Sequence, residues 1–167
     1  MEKKFRLSLE DWVLALLLHA GGRVRGKTRV HKALFLVKKE VGEGLVPARF
    51  VPHRYGPWSR DVERALERLV EEGLVERSVE DGAEVYRLTR RGRERAEKIL
   101  SALSETPHWS DIDEIFRMAA RAPLWALLGY IYTFYPEWAS NSEKREEIIE
   151  RVKREGGISK LLSRLFR

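Results

Sequence analysis

Four histidines, the absence of cysteine and a Gly-Lys-Thr stretch are where chemistry is first sought in this 167-residue chain. His19, His31, His53 and His108 are scattered. No two stand at the HxxxH or HExxH spacing that places metal-binding imidazoles on one helix face. With no cysteine, a thiolate zinc site, an iron–sulfur cluster, a disulfide scaffold and a cysteine nucleophile are all excluded. His108 with Asp111 and Asp113 offers metal-ligand types close together. Ser110 and Asp113 stand at capping-box spacing, however, and Asp111 suits the positive end of a helix, so the group reads as a helix start. Gly21-x4-Gly26-Lys27-Thr28 matches the letters of a phosphate-binding loop. That loop needs a preceding strand and a βαβ series, whereas here a helix is expected before it and two arginines sit inside it. Nucleotide hydrolysis is not expected. No catalytic set, metal set or cofactor motif stands, and the chain reads as a binding protein rather than an enzyme.

The remaining chemistry is charge. Lys and Arg number 32 against 26 Asp and Glu, a net +6 with a pI near 9.7, which favours an anionic partner. Residues 1–58 are net +7, 59–84 net −5, 85–105 net +3 and 106–167 net +1. The excess therefore lies on the first two expected helices, on the loop up to Trp58 and on the segment after residue 84.

Those groups need elements to position them. Ser8 with Asp11 has a capping-box-like spacing and opens a helix over 9–20 that stops at Gly21-Gly22. A second helix is expected over 28–41, with Val30, Leu34, Val37 and Val41 in one stripe and Lys27, Arg29, Lys32, Lys38 and Lys39 opposite. Residues 45–58 read as a loop or extended segment. Ser59 caps a third helix over 60–72, ended by Gly73. Segments 74–79 and 83–88 alternate apolar and polar residues around Asp81-Gly82, a hairpin signal. Thr89 caps a basic helix over 90–103. Helices are then expected over 111–121 and 123–135, after Ser140 with Glu143 to about 155, and as a short amphipathic piece over 158–166. No repeat or low-complexity segment interrupts this order.

Three helices, a hairpin and a helix are the order of a winged helix-turn-helix, in which the third helix faces the major groove and the second helix and wing meet the backbone. A small α+β domain with no nucleic-acid role has the same order. The third helix is itself net −2. Either Arg60, Arg64 and Arg68 form a basic groove-facing row, or Glu63, Glu67 and Glu71 neutralise that row on a solvated face. The segment 123–135, rich in Trp and Tyr, must be buried. It serves as a core helix against 9–18 and 112–118, or as a dimer core through Trp125, Leu128, Tyr132 and Tyr135.

Residues 27–38 (KTRVHKALFLVK) and 50–74, which contain RYGPWSRDVERALERLVEEGL, carry a resemblance. A basic helix start with a central aromatic, then Tyr55-Gly56-Pro57-Trp58-Ser59 leading into a helix that ends in Gly-Leu, resembles the YwgA-like winged-helix proteins of archaea and bacteria. It is more distantly similar to the SocA-like Panacea antitoxin domains. The resemblance covers about residues 9–76. It implies a helical, winged-helix-like fold in a regulatory or antitoxin-like setting, without a defined reaction. In physical terms Pro57 and Gly56 shape a tight turn, Tyr55 and Trp58 pack beside it, and Ser59 caps the next helix. In a functional version, Arg54, Tyr55 and the helix start meet phosphate.

The fold expected is mainly α with a small β-hairpin, a winged helix-turn-helix over 1–104 followed by a C-terminal helical extension over 105–167. The function expected is binding of double-stranded DNA through Lys27, Arg29, Lys32, Arg54, Tyr55, Ser59, Arg60, Arg64, Arg87, Arg90 and Arg91, as a transcriptional regulator or accessory factor. The alternative is a protein-interaction module on the same scaffold. The longest uncharged run, 122–136, is shorter than the roughly 20 residues a membrane helix needs. The start 1–6 with the apolar stretch 12–20 has the outline of a signal peptide, but Glu10 and Asp11 and the lack of a small-residue cleavage site argue against one. A cytoplasmic location is expected. The absence of Gln, a single Asn (Asn141) and abundant Arg and Glu suggest a thermophilic source.

Overall fold

The computed structural model describes residues 6–166. Residues 1–5, the basic start weighed above as part of a leader, lie outside the described residues. Eight α-helices, one 3-10 turn and two small antiparallel sheets form among the described residues, so the chain is mainly helical.

Helix α1 (Leu9–His19) is capped as its sequence requires. Ser8 Oγ accepts from the Asp11 N–H at 3.1 Å, and the Asp11 carboxylate accepts from the Ser8 N–H at 3.2 Å. Every residue from Trp12 to Leu17 is buried, so this helix runs inside the protein rather than along its surface. A strand that the sequence reading lacked, β1 (Arg23–Arg25), follows the Gly21-Gly22 stop.

Helix α2 (Thr28–Glu40) departs from the expected single stripe. Val30 through Val37 are all buried, Lys32 among them, because α1, two later helices and a small hairpin close round it. That hairpin, β2 (Val51–His53) and β3 (Gly56–Trp58), lies in the stretch expected to be loop or extended, where no strand pairing was foreseen. Helix α3 (Arg60–Glu71) starts at Ser59, whose hydroxyl accepts from the Val62 N–H at 3.4 Å.

Strands β4 (Val75–Glu80) and β5 (Ala83–Leu88) pair around Asp81-Gly82, both with positive φ (49° and 77°), the geometry a two-residue hairpin turn demands. β1 joins the far side of β5, giving the order β1-β5-β4. Thr89 caps α4 (Arg90–Ser104) by accepting from the Gly92 N–H.

Helix α5 (Trp109–Arg121) begins two residues earlier than the Ser110–Asp113 spacing suggested. Asp113 is drawn away from any cap by His19 Nε2 at 2.7 Å and Arg117 at 2.8 Å. Pro123 stands just before α6 (Leu124–Phe134). The expected start at Ser140 is replaced by a 3-10 turn, Pro136–Ala139, and α7 (Arg145–Arg154) and α8 (Ile158–Leu165) close the chain. One hydrophobic core contains residues from Leu9 to Ile148, so α5 and α6 share it with the N-terminal helices. α7 and α8 add a smaller cluster around Ala126, Val152, Ile158 and Leu161. No described helix is long and apolar enough to cross a membrane.

Candidate nucleic-acid interface

The Tyr-Gly-Pro-Trp-Ser turn sits on a buried polar joint. The Ser59 N–H donates to His31 Nδ1 at 3.0 Å, which leaves the ring proton on Nε2 to be donated to Glu63 Oε1 at 3.1 Å. Trp58 Nε1 donates to the same oxygen at 3.3 Å, and Lys27 Nζ reaches Glu63 Oε2 at 2.9 Å. The Trp58 ring stacks with His31 and with His53, at centroid distances of 5.7 and 5.4 Å. Burial pulls His31 down to about 4, against the opposing hydrogen bond that it donates to Glu63. Burial pushes Glu63 upward, but Lys27 and His31 outweigh it and hold the carboxyl below its ordinary value. Both imidazole nitrogens are engaged, so His31 is a structural residue without a free lone pair for catalysis.

One helical position on, Lys32 is only 2% exposed and donates to the Pro57 carbonyl at 2.7 Å. Burial lowers its pKa to about 7. Gly56 (φ 83°) stands close to the same joint: a Cβ there would lie 3.2 Å from the Tyr132 ring, in a backbone conformation that L side chains rarely adopt. The hairpin is further held by Asn141 Nδ2 on the Pro52 carbonyl and by an Arg54–Glu143 ion pair at 3.0 Å.

These contacts remove part of the expected DNA-contacting set from the surface. Lys32 and Ser59 are buried and cannot meet a phosphate. Arg29 donates through Nη1 to the Ala119 and Ala122 carbonyls at the C-terminal end of α5, at 2.9 and 2.6 Å. Arg87 makes two bonds to Glu80, at 2.7 and 3.0 Å. Lys27 is partly exposed but tied to Glu63, and Arg54 to Glu143. Arg91 reaches the Glu72 carbonyl at 3.3 Å, and Arg90, 93% exposed, lies 3.6 Å from Glu94.

What remains presented is concentrated on α3. The Asp61 carboxylate accepts from the Arg49 N–H at 2.9 Å and Glu63 is held in the joint, so both acids of the first turn are engaged. Arg60 and Arg64 are exposed and have no acidic partner among the described residues, whereas Arg68 pairs with Glu10 at 2.6 Å. The Lys27–Glu63 bond sets this face beside the start of α2, and the Gly26 N–H donates to the Glu84 carbonyl at 2.7 Å, linking it to β5. Tyr55 is exposed at the neighbouring hairpin. Sequence reasoning missed Glu63 as the hub and missed Arg23 and Arg25, both exposed on β1. The alternation of Arg23-Val24-Arg25 was the available signal, but three residues are too few to show a period.

The expected dimer set is likewise used within the chain. Leu128 and Tyr132 are 4% and 2% exposed, and the Tyr132 hydroxyl donates to Ser142 Oγ at 2.8 Å. Tyr135 packs edge-on against Phe35 and donates to Glu40, and Trp125 lies under Arg151 at 3.9 Å. Among the described residues no three His, Cys, Asp or Glu side chains are grouped to hold a metal ion. No protein-family model and no curated protein matches the chain.

Proposed function

We propose that the chain is a winged-helix protein, of the YwgA-like kind its motif suggests, that binds double-stranded DNA as a regulator or accessory factor. The observation that carries this reading is the state of α3. Its first-turn acids are occupied, while Arg60 and Arg64 are exposed with no acidic partner among the described residues, on a helix that packs beside β4 of the three-stranded sheet. The element order α1-β1-α2-β2-β3-α3-β4-β5, in which a small hairpin is inserted between α2 and α3, supports the same reading, with the β4–β5 hairpin as the wing. Arg60 and Arg64 face the bases, and Arg90, Arg91 and the partly exposed Lys27 lie toward flanking phosphates.

Fluorescence anisotropy with duplex DNA across a salt series tests this. Log affinity falls linearly with log salt, by about 0.9 per phosphate neutralised. Arg60→Gln or Arg64→Gln costs about 1–3 kcal/mol on a selected site and much less on random duplex, while Arg90→Gln with Arg91→Gln weakens both equally. A second reading, docking of a protein partner, is favoured by the acidic far end of α3, where Glu67, Glu71 and Glu72 are exposed, and by Val79 of β4, 71% exposed. No duplex binding at low salt selects that reading.

A further inference from the structure

A pocket of about 150 Å³ lies beside the edge strand β1, between α1 and the C-terminal part of α5. It is smaller than the roughly 300–1,000 Å³ of pockets for drug-sized molecules, and so has the scale of a small ion. Ala119 and Ala120 of α5 and Leu16 of α1 give it a short, apolar wall, and no carboxylate lines it among the described residues. Its polar lining is three arginines, Arg23, Arg25 and Arg29.

These arginines differ in what they have left to give. Arg25 is committed to the wing turn, donating to the Glu80 and Asp81 carbonyls at 3.1 and 3.3 Å, and contributes charge. Arg29 is pinned through Nη1 alone, and its other two guanidinium nitrogens make no hydrogen bond among the described residues. Arg23 makes no side-chain hydrogen bond or ion pair among the described residues. It stands directly across from Arg87, a like-charged neighbour, and Arg87 already holds the Glu80 carboxylate.

The backbone adds donors. Gly22 accepts from the Leu88 N–H at 2.9 Å and the Gly26 N–H donates to Glu84 at 2.7 Å, so the even positions of this segment bond to β5. Antiparallel alternation then turns the N–H groups of Arg23 and Arg25 to the open edge. Guanidinium forks from a strand and from a helix, with edge N–H groups between them, suit an acceptor with oxygens in several directions. A planar carboxylate is served by one fork; a tetrahedral oxyanion uses several.

We propose that this pocket is a phosphate-binding site, holding the phosphate group of a small phosphate ester or of a nucleic-acid backbone. It is separate from the α3 face, and its test needs no DNA. The probe is inorganic phosphate, read by thermal unfolding at pH 7.5 against sodium chloride of equal ionic strength. Phosphate at about 100 times its Kd raises the Tm by about 5–10 °C. Arg23→Gln, at an exposed side chain with no partner among the described residues, abolishes most of that rise. Arg29→Gln abolishes it too, whatever it does to the starting Tm, and Arg60→Gln, outside the pocket, keeps it. No rise beyond the chloride control, or an unchanged rise in Arg23→Gln, overturns the site.

Two further measurements on the same variants distinguish the sources, and either result supports the site. If the phosphate belongs to duplex DNA, Arg23→Gln lowers duplex affinity and free phosphate competes with the duplex. If it belongs to a small ester, duplex affinity is unchanged and a nucleoside monophosphate reproduces the Tm rise. Loss of duplex binding with the phosphate effect intact would remove the DNA reading alone.

Discussion

Lys32 places an amine among apolar side chains for the sake of one carbonyl, Pro57, on the turn that carries the chain's most distinctive motif. Its cost has a definite sign. With a pKa of about 7 folded against 10.5 for a free lysine, the folded protein declines a proton that the unfolded chain takes up. Stability therefore rises with pH between those values, by up to about 1.36 kcal/mol per unit, and the penalty is complete below about 7. Lys32→Met removes both the titration and the hydrogen bond, leaving Pro57 unsatisfied at a cost of about 1–3 kcal/mol. Urea denaturation at pH 7, 8 and 9 should show wild type gaining stability relative to the variant as pH rises; parallel profiles would show that Lys32 titrates normally. His31 acts at lower pH in the same sense. Its folded value of about 4 lies below the usual 6.5, so stability is lost as pH falls across that interval.

Between elements, α4 approaches the chain at the start of β4 more closely than a side chain at Gly92 would allow. A Cβ at Gly92 would fall 1.9 Å from the Leu74 carbonyl oxygen, a backbone atom that cannot swing aside. The same carbonyl accepts from the Thr89 N–H at 3.1 Å, so α4 is hung from the sheet at its first turn. Gly92→Ala should push α4 away from β4 and cost about 3 kcal/mol, the upper end of overpacking effects. Chemical denaturation checks the loss, and an Ala variant as stable as wild type would mean that the helix shifts freely. The hairpin at residues 51–58 is a second such joint. It packs on α2, on α6 and on the 3-10 turn, so the motif that looks like a surface recognition turn is also an internal clamp.

At the scale of the molecule, the aromatic helix α6 is spent on the chain's own core. Leu128 and Tyr132 face inward, and Tyr130 and Tyr135 donate to Glu40 at the end of α2. Of the large apolar side chains on α6, Leu124 and Phe134 are exposed, too few for the apolar centre of a dimer core. Light scattering at micromolar concentration should give the monomer mass of 19.5 kDa. A mass of twice that value would place a dimer contact on another surface, and Trp125→Ala would then be expected to leave it intact.

The sequence alone determined the features that local chemistry enforces. Asp81-Gly82 had to be a two-residue turn, since few other pairs accept positive φ at both positions, and Ser8, Ser59 and Thr89 had to cap helices whose first N–H groups lack partners. The helical majority and the burial of α6 were legible from periodicity and from an apolar run without charges. Tertiary structure decided what distant partners enforce. Lys32 looked like a surface cation because lysines usually are; only a carbonyl 25 positions away, carried by an unforeseen hairpin, makes its burial tolerable. The acids of α3 looked like a repulsive face until Lys27, His31, Trp58 and the Arg49 amide were brought to them. β1 is too short to announce itself and forms because β5 has a free edge to offer it. Hydrogen bonds between groups far apart in sequence leave no period or spacing behind, so the site's charge balance became visible only once the chain had folded.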